Sequence, residues 1–122
     1  MNTYIKIKTQ FEAYHSWPNA PEEVAFLRHL HRHLFKCVVK IEVNHSDREL
    51  EFFIFKKEVD KLIKRMLKSL RNEKSCEQMA SWLLNKLKEE YSRYIQVEVS
   101  EDGENSAIVN NFDETISDLE KI

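Results

Sequence analysis

The sequence predicts an α+β domain: an antiparallel four-stranded sheet with two helices on one face, in the order ββααββ. Three observations carry this reading. Four extended stretches mix apolar and polar residues with the two-residue period of a half-buried strand. Between the second and third, the apolar period lengthens to that of a helix, twice over. The extended stretches also come in sequential pairs, which favours hairpins flanking a helical pair.

The elements follow in order. TYIKIKT, residues 3–9, alternates, and Tyr4, Ile5 and Ile7 suit a strand that continues through Phe11 to His15. SWPNAPEEV, residues 16–24, holds both prolines of the chain and breaks the pattern, with room for a short helical turn after Pro21. Residues 31–43 form a second long strand, on which Val39, Ile41 and Val43 share a face. NHSD, residues 44–47, has turn composition, and ELEFFIF, residues 49–55, is expected to resume extended structure. From Lys56 the period changes. Val59, Leu62, Ile63, Met66, Leu67 and Leu70 line one face of a helix ending near Arg71. Ser75 with Gln78 makes an S-x-x-Q capping box for a second helix, whose buried face runs through Met79, Leu83, Leu87 and Tyr91. YIQVEV, residues 94–99, alternates again, EDGEN turns, and SAIV, residues 106–109, closes the sheet. Residues 1–112 thus make a single domain and residues 113–122 an acidic C-terminal tail.

Composition narrows the function. At 122 residues and 42% hydrophobic, the chain suits one domain with its own core. A net charge of −2 gives no bulk electrostatic support for nucleic-acid binding. Charge is uneven: residues 56–71 carry seven basic and two acidic side chains, and residues 98–122 carry eight acidic and one basic. The basic run coincides with a helical apolar stripe, so it reads as a solvated helix face. Two cysteines, Cys37 and Cys76, make neither a disulfide framework nor a C-x-x-C site. A single glycine, Gly103, excludes every glycine-rich phosphate loop. No secretory signal or membrane-length apolar run is evident, so a cytoplasmic setting and no membrane partner are expected.

The histidines stand out. HLHRH, residues 29–33, places His29, His31 and His33 at alternate positions, which on a strand would project side by side. A solvated strand end and a metal site both fit that segment, and the segment alone does not decide between them. If the strands ending at His15 and starting at His31 pair as a hairpin, His15 meets His31 and His33 at one end of the sheet. Three neutral imidazoles are a known donor set for zinc, with a fourth position left open.

FEAYH, residues 11–15, followed by LHRHLFK, residues 30–36, resembles the signature of the 6-pyruvoyl-tetrahydropterin synthase family, which includes the 6-carboxytetrahydropterin synthases of the queuosine pathway. SCEQMA, residues 75–80, is similar to the family's T-x-E-N-x-A, and VEVSE, residues 97–101, to its V-x-V-x-E-T. Together these span residues 4 to about 109. The resemblance implies the tunnelling fold, Zn2+ held by His15, His31 and His33, and Glu101 as the anchor of a pterin- or purine-like small molecule. It also implies homo-oligomeric rings, as trimers or hexamers, and carbon–oxygen lyase chemistry on dihydroneopterin triphosphate. A carboxylate suits the anchoring role because it accepts two parallel hydrogen bonds from an N–H and an adjacent exocyclic amine.

The chain departs from the family where protons move. The family's cysteine before the H-x-H step has no counterpart in residues 16–30, where Leu27 occupies its neighbourhood. The Asp-His pair between the helices is absent from SLRNEKS, residues 69–75. Ile54 stands where the family has an aspartate, and Arg32 where it has the glycine of H-G-H. Zinc polarises an oxygen, but positioned acids and bases must still move protons. The catalytic residues are thus not identified by the sequence; the substitutes it offers are His29 or Glu12 as base, with Tyr14 or Glu23 assisting. A second reading is therefore a catalytically inactive relative that binds or senses a pterin or purine.

Overall fold

The computed structural model describes residues 2–115, and four strands and two α-helices build the fold among those residues. Strands β1 (Thr3–His15) and β2 (His31–Val43) pair antiparallel along their whole length, from Thr3 opposite Val43 to His15 opposite His31. Strand β3 (Ile95–Glu101) lies against β2, and β4 (Asn105–Asn110) against β3, giving one open antiparallel sheet in the order β1-β2-β3-β4. The alternation read from the sequence is realised in burial. Ile7, Phe35, Cys37, Val39, Ile41, Val97 and Val99 face the core, while Lys6, Lys8, Gln10, Glu12 and Lys36 are exposed.

The helices α1 (Phe52–Ser69) and α2 (Cys76–Glu90) supply the other half of that core. From α1 come Phe55, Val59, Leu62, Ile63 and Met66; from α2 come Met79, Ala80, Leu83, Leu84 and Leu87. The basic run falls on the outer surface of α1, where Lys57, Lys61, Lys64, Arg65 and Lys68 are exposed. The S-x-x-Q box is present: the Ser75 hydroxyl accepts from the Gln78 amide at 3.1 Å, and Gln78 Oε1 accepts from the Ser75 amide at 2.9 Å. The proline-rich connection carries a 3-10 helix over Glu22–Arg28.

One expected element is corrected. Residues 52–55 are not extended; they form the first turn of α1. The Glu51 carboxylate caps it, accepting from the amides of Phe53 and Ile54 at 3.1 Å. A strand would bury alternate side chains, whereas here Phe52, Phe53 and Ile54 are all exposed and only Phe55 joins the helical stripe. An unbroken apolar run has no period of its own, so the cap and the register of Phe55 with Val59 and Leu62 decide it.

After β4, Asn111 is buried and joins the edge of the core to β3. Its Oδ1 accepts from the Ile95 amide at 2.8 Å, and its Nδ2 donates to the Arg93 carbonyl at 3.1 Å. Of the acidic tail, Glu114 receives Lys88 Nζ at 2.7 Å, and residues 116–122 lie outside the described residues. No helix among the described residues is long and apolar enough to cross a membrane.

The topology brings the end of β1, the start of β2, the end of β3 and the start of α2 to one end of the sheet. The functional candidates gather there.

Candidate metal centre

His15 is the last residue of β1 and lies directly opposite His31, the first of β2. His33 is two residues on and shares their face, as strand parity requires. The rings meet edge to face, with centroids 4.5 Å apart for His15 and His31, 5.2 Å for His15 and His33, and 5.0 Å for His31 and His33. One ring nitrogen of each lies within 4.8 Å of the others, and no other such group of three occurs among the described residues. Phe35 forms the floor, its ring 5.2 Å from that of His15 and 5.7 Å from that of His33, and it stacks on Phe11.

Every ring is held from behind through Nδ1. His15 Nδ1 donates to the Lys74 carbonyl at 3.0 Å, His31 Nδ1 to the His29 carbonyl at 2.7 Å, and His33 Nδ1 to Asp102 Oδ2 at 2.8 Å. Carbonyls and carboxylates only accept, so in each neutral ring the proton sits on Nδ1 and the bare lone pair on Nε2. Those three Nε2 atoms are buried and have no hydrogen-bond partner, and among the described residues they are the only buried side-chain polar atoms in that state. Leaving a buried acceptor unmet costs about 1–3 kcal/mol. A cation among the three lone pairs removes that cost. Burial also holds the His15 ring below its ordinary pKa, against the raising pull of the Lys74 carbonyl and Glu101, which favours the neutral, ligating form.

Glu101 joins the cluster from β3. Its Oε2 lies 3.2 Å from His33 Nε2, and its Oε1 3.6 Å from His15 Nε2. Asp102, the next residue, went unmarked in the sequence. It occupies the left-handed region at φ 56°, a conformation that aspartate tolerates at a turn. From there Oδ1 accepts from the Leu34 amide at 3.0 Å, while Oδ2 takes His33. The His33 bond first, and the Leu34 amide next, hold the Asp102 carboxyl below its usual range. An aspartate before the one glycine of a hairpin was the available signal. Lys74 was also missed: buried, it offers its carbonyl to His15 and donates Nζ to the Tyr14 carbonyl at 2.9 Å.

His29 is not brought to the cluster. It precedes β2, is exposed, and contributes its carbonyl rather than its ring. The expectation that it projects beside His31 and His33 is corrected, because the strand begins two residues later. Arg32 pairs with Glu12 at 2.9 Å on the opposite face of the sheet.

A cavity of about 410 Å3 opens beside the histidines, lined by His15, His31, Glu101, Trp17, Leu27 and Cys76 among others. The Cys76 thiol is pushed up to about 12, by burial first and by Glu101 and Glu77 next, so it stands there as a neutral thiol. Cys37, in the core beneath, is likewise pushed up to about 12 by burial. The arrangement can therefore hold a divalent cation on three neutral imidazoles beside a half-apolar cavity. No protein-family model and no curated protein matches the chain.

Proposed function

We propose that this chain is a zinc protein of the 6-pyruvoyl-tetrahydropterin synthase type, with a pocket for a pterin- or guanine-like heterocycle beside the metal. One observation carries the metal: three buried Nε2 atoms converge without partners while their Nδ1 atoms are all engaged. Backbone carbonyls and a carboxylate behind ligating imidazoles are the usual supports of a zinc site. His15, His31 and His33 would hold the ion, which when bound supplies Lewis-acid polarisation of a ligand oxygen. The cavity beside it offers Trp17 and Leu27 to an aromatic face and Glu101 to an N–H edge.

Within that type, binding without turnover is the better-supported reading. A lyase needs groups that exchange protons near neutral pH. Cys76, the one thiol on the cavity, is held protonated, and His29 sits outside it. The divergent lyase remains the second reading, favoured by the ligand-side carboxylate Glu101 beside the metal histidines. Ring assembly as a trimer or hexamer belongs to the same proposal: among the described residues β1 and β4 are the outer strands of the sheet, edges that a further copy can cover.

The purified protein is expected to contain about one zinc per chain, and His31→Ala to lose it; metal analysis that finds none in the wild type ends the proposal. Incubation with dihydroneopterin triphosphate separates the two readings. Recovery of bound, unaltered ligand supports the binder, and product that disappears with His33→Ala supports the lyase.

A further inference from the structure

We infer that Glu101 is a fourth protein ligand of the ion held by His15, His31 and His33, so that its own chain closes the resting centre. This rests on the metal reading above and goes beyond its three imidazoles. In a tetrahedral centre with metal–ligand bonds of about 2.0–2.2 Å, neighbouring ligand atoms stand about 3.4 Å apart. Glu101 Oε2 lies 3.2 Å from His33 Nε2, and Oε1 lies 3.6 Å from His15 Nε2. Each carboxylate oxygen thus stands at about a ligand-to-ligand separation from one ring, Oε2 from His33 and Oε1 from His15, and a turn of the carboxylate brings one oxygen to the ion.

These contacts are not hydrogen bonds. With the ring protons on Nδ1, both nitrogens present lone pairs, and both lack a donor or acceptor partner. A carboxylate turned towards two lone pairs is repelled unless a proton or a metal cation stands between them, and a metal cation satisfies both rings at once. Among the described residues, its ion-pair partners are these two rings alone. The backbone places it there by register. Glu101 lies opposite Phe35, two residues along β2 from His33, on the same face. Consecutive acids thus take His33 from both sides, Asp102 at Nδ1 and Glu101 at Nε2.

The consequence is a centre that opens only by exchange. An incoming oxygen donor must displace the carboxylate, and the displaced carboxylate becomes free to accept the N–H edge of the same ligand. Glu101 therefore alternates between metal and heterocycle.

Cobalt(II) substitution tests this without any turnover. The cobalt-loaded wild type is expected to show the intense visible bands of four-coordinate cobalt, unchanged by millimolar thiocyanate because no position is open. Glu101→Gln is expected to bind cobalt at least tenfold more weakly and to change colour with thiocyanate. A wild-type spectrum that shifts with thiocyanate overturns the inference, and needs no variant to do so. So does a folded Glu101→Gln protein with wild-type affinity and spectrum. Failure of the wild type to bind cobalt or zinc at all is a separate outcome, and it removes the metal reading itself.

Discussion

His33 is gripped by a side chain where its two partners are gripped by backbone. Lys74 and His29 offer carbonyls that no substitution removes; Asp102 offers a charged acceptor that one substitution weakens. Support of this kind behind a ligating imidazole typically changes metal affinity 10–100-fold when lost. Asp102→Asn, which tolerates the same φ of 56° and keeps an oxygen for the Leu34 amide, is therefore expected to weaken zinc binding by about that factor, read by competition with a chromophoric chelator, with the fold retained. Affinity equal to wild type would show that the turn, not the carboxylate, orients the ring. The same residues show what was legible beforehand. Placing His15, His31 and His33 together needed only strand parity and one hairpin, both local in sequence. Asp102 and Lys74 reach the site across 69 and 59 residues of chain. Their roles depend on the β2–β3 register and on how α2 docks, which no local pattern encodes. His29 misled for the opposite reason: its alternation with His31 is genuine in sequence, but the strand starts after it.

At the scale of elements, caps and loop clamps decide boundaries that hydrophobic pattern leaves open. The first turn of α1 was hidden because FFIF is apolar on every side, and Glu51 rather than periodicity starts the helix. The start of α2 was legible because Ser75 and Gln78 satisfy each other at a fixed spacing. Ser75→Ala is expected to cost about 1 kcal/mol of stability, measured as a lower urea midpoint at unchanged slope. A second device joins the loop after β2 to the connection after α2. Glu49 accepts from the Asn44 amide at 3.0 Å and from Arg93 at 2.7 Å. Burial alone would raise the Glu49 pKa, but the Asn44 amide and Arg93 together bring it below its ordinary 4.5. The folded state thus binds the Glu49 proton less readily than the unfolded chain. The stabilisation is fully present above about pH 4.5 and is lost as pH falls through the lower folded value. Glu49→Gln is expected to lower stability at pH 7 and to flatten the acid limb of stability against pH. An acid limb identical to wild type would remove Glu49 from the account.

At the scale of the molecule, the histidine cluster ties together chain that is distant in sequence. The end of β1, the start of β2 and the turn after β3 converge on it, and Lys74 brings in the link between the helices. The core was readable as two helical stripes against one sheet face, and it holds the fold without help from disulfides. The sheet end is different. There the core gives way to imidazoles with unmet nitrogens, so this end is where an ion adds most. An ion that binds the folded chain and not the unfolded one stabilises it by mass action. The gain is about 2.7 kcal/mol when its free concentration is a hundred times the Kd, on the order of 10 °C in Tm for a chain of this size. Zinc is accordingly expected to raise the Tm of the metal-stripped wild type by about that much, with calcium, which prefers oxygen donors, giving no such rise. His31→Ala, which removes an imidazole at the half-buried rim rather than in the core, is expected to fold and to lose the zinc response. Scanning calorimetry decides it. A response to zinc that persists in His31→Ala would place the ion elsewhere on the molecule, and equal responses to zinc and calcium would mark it as non-specific.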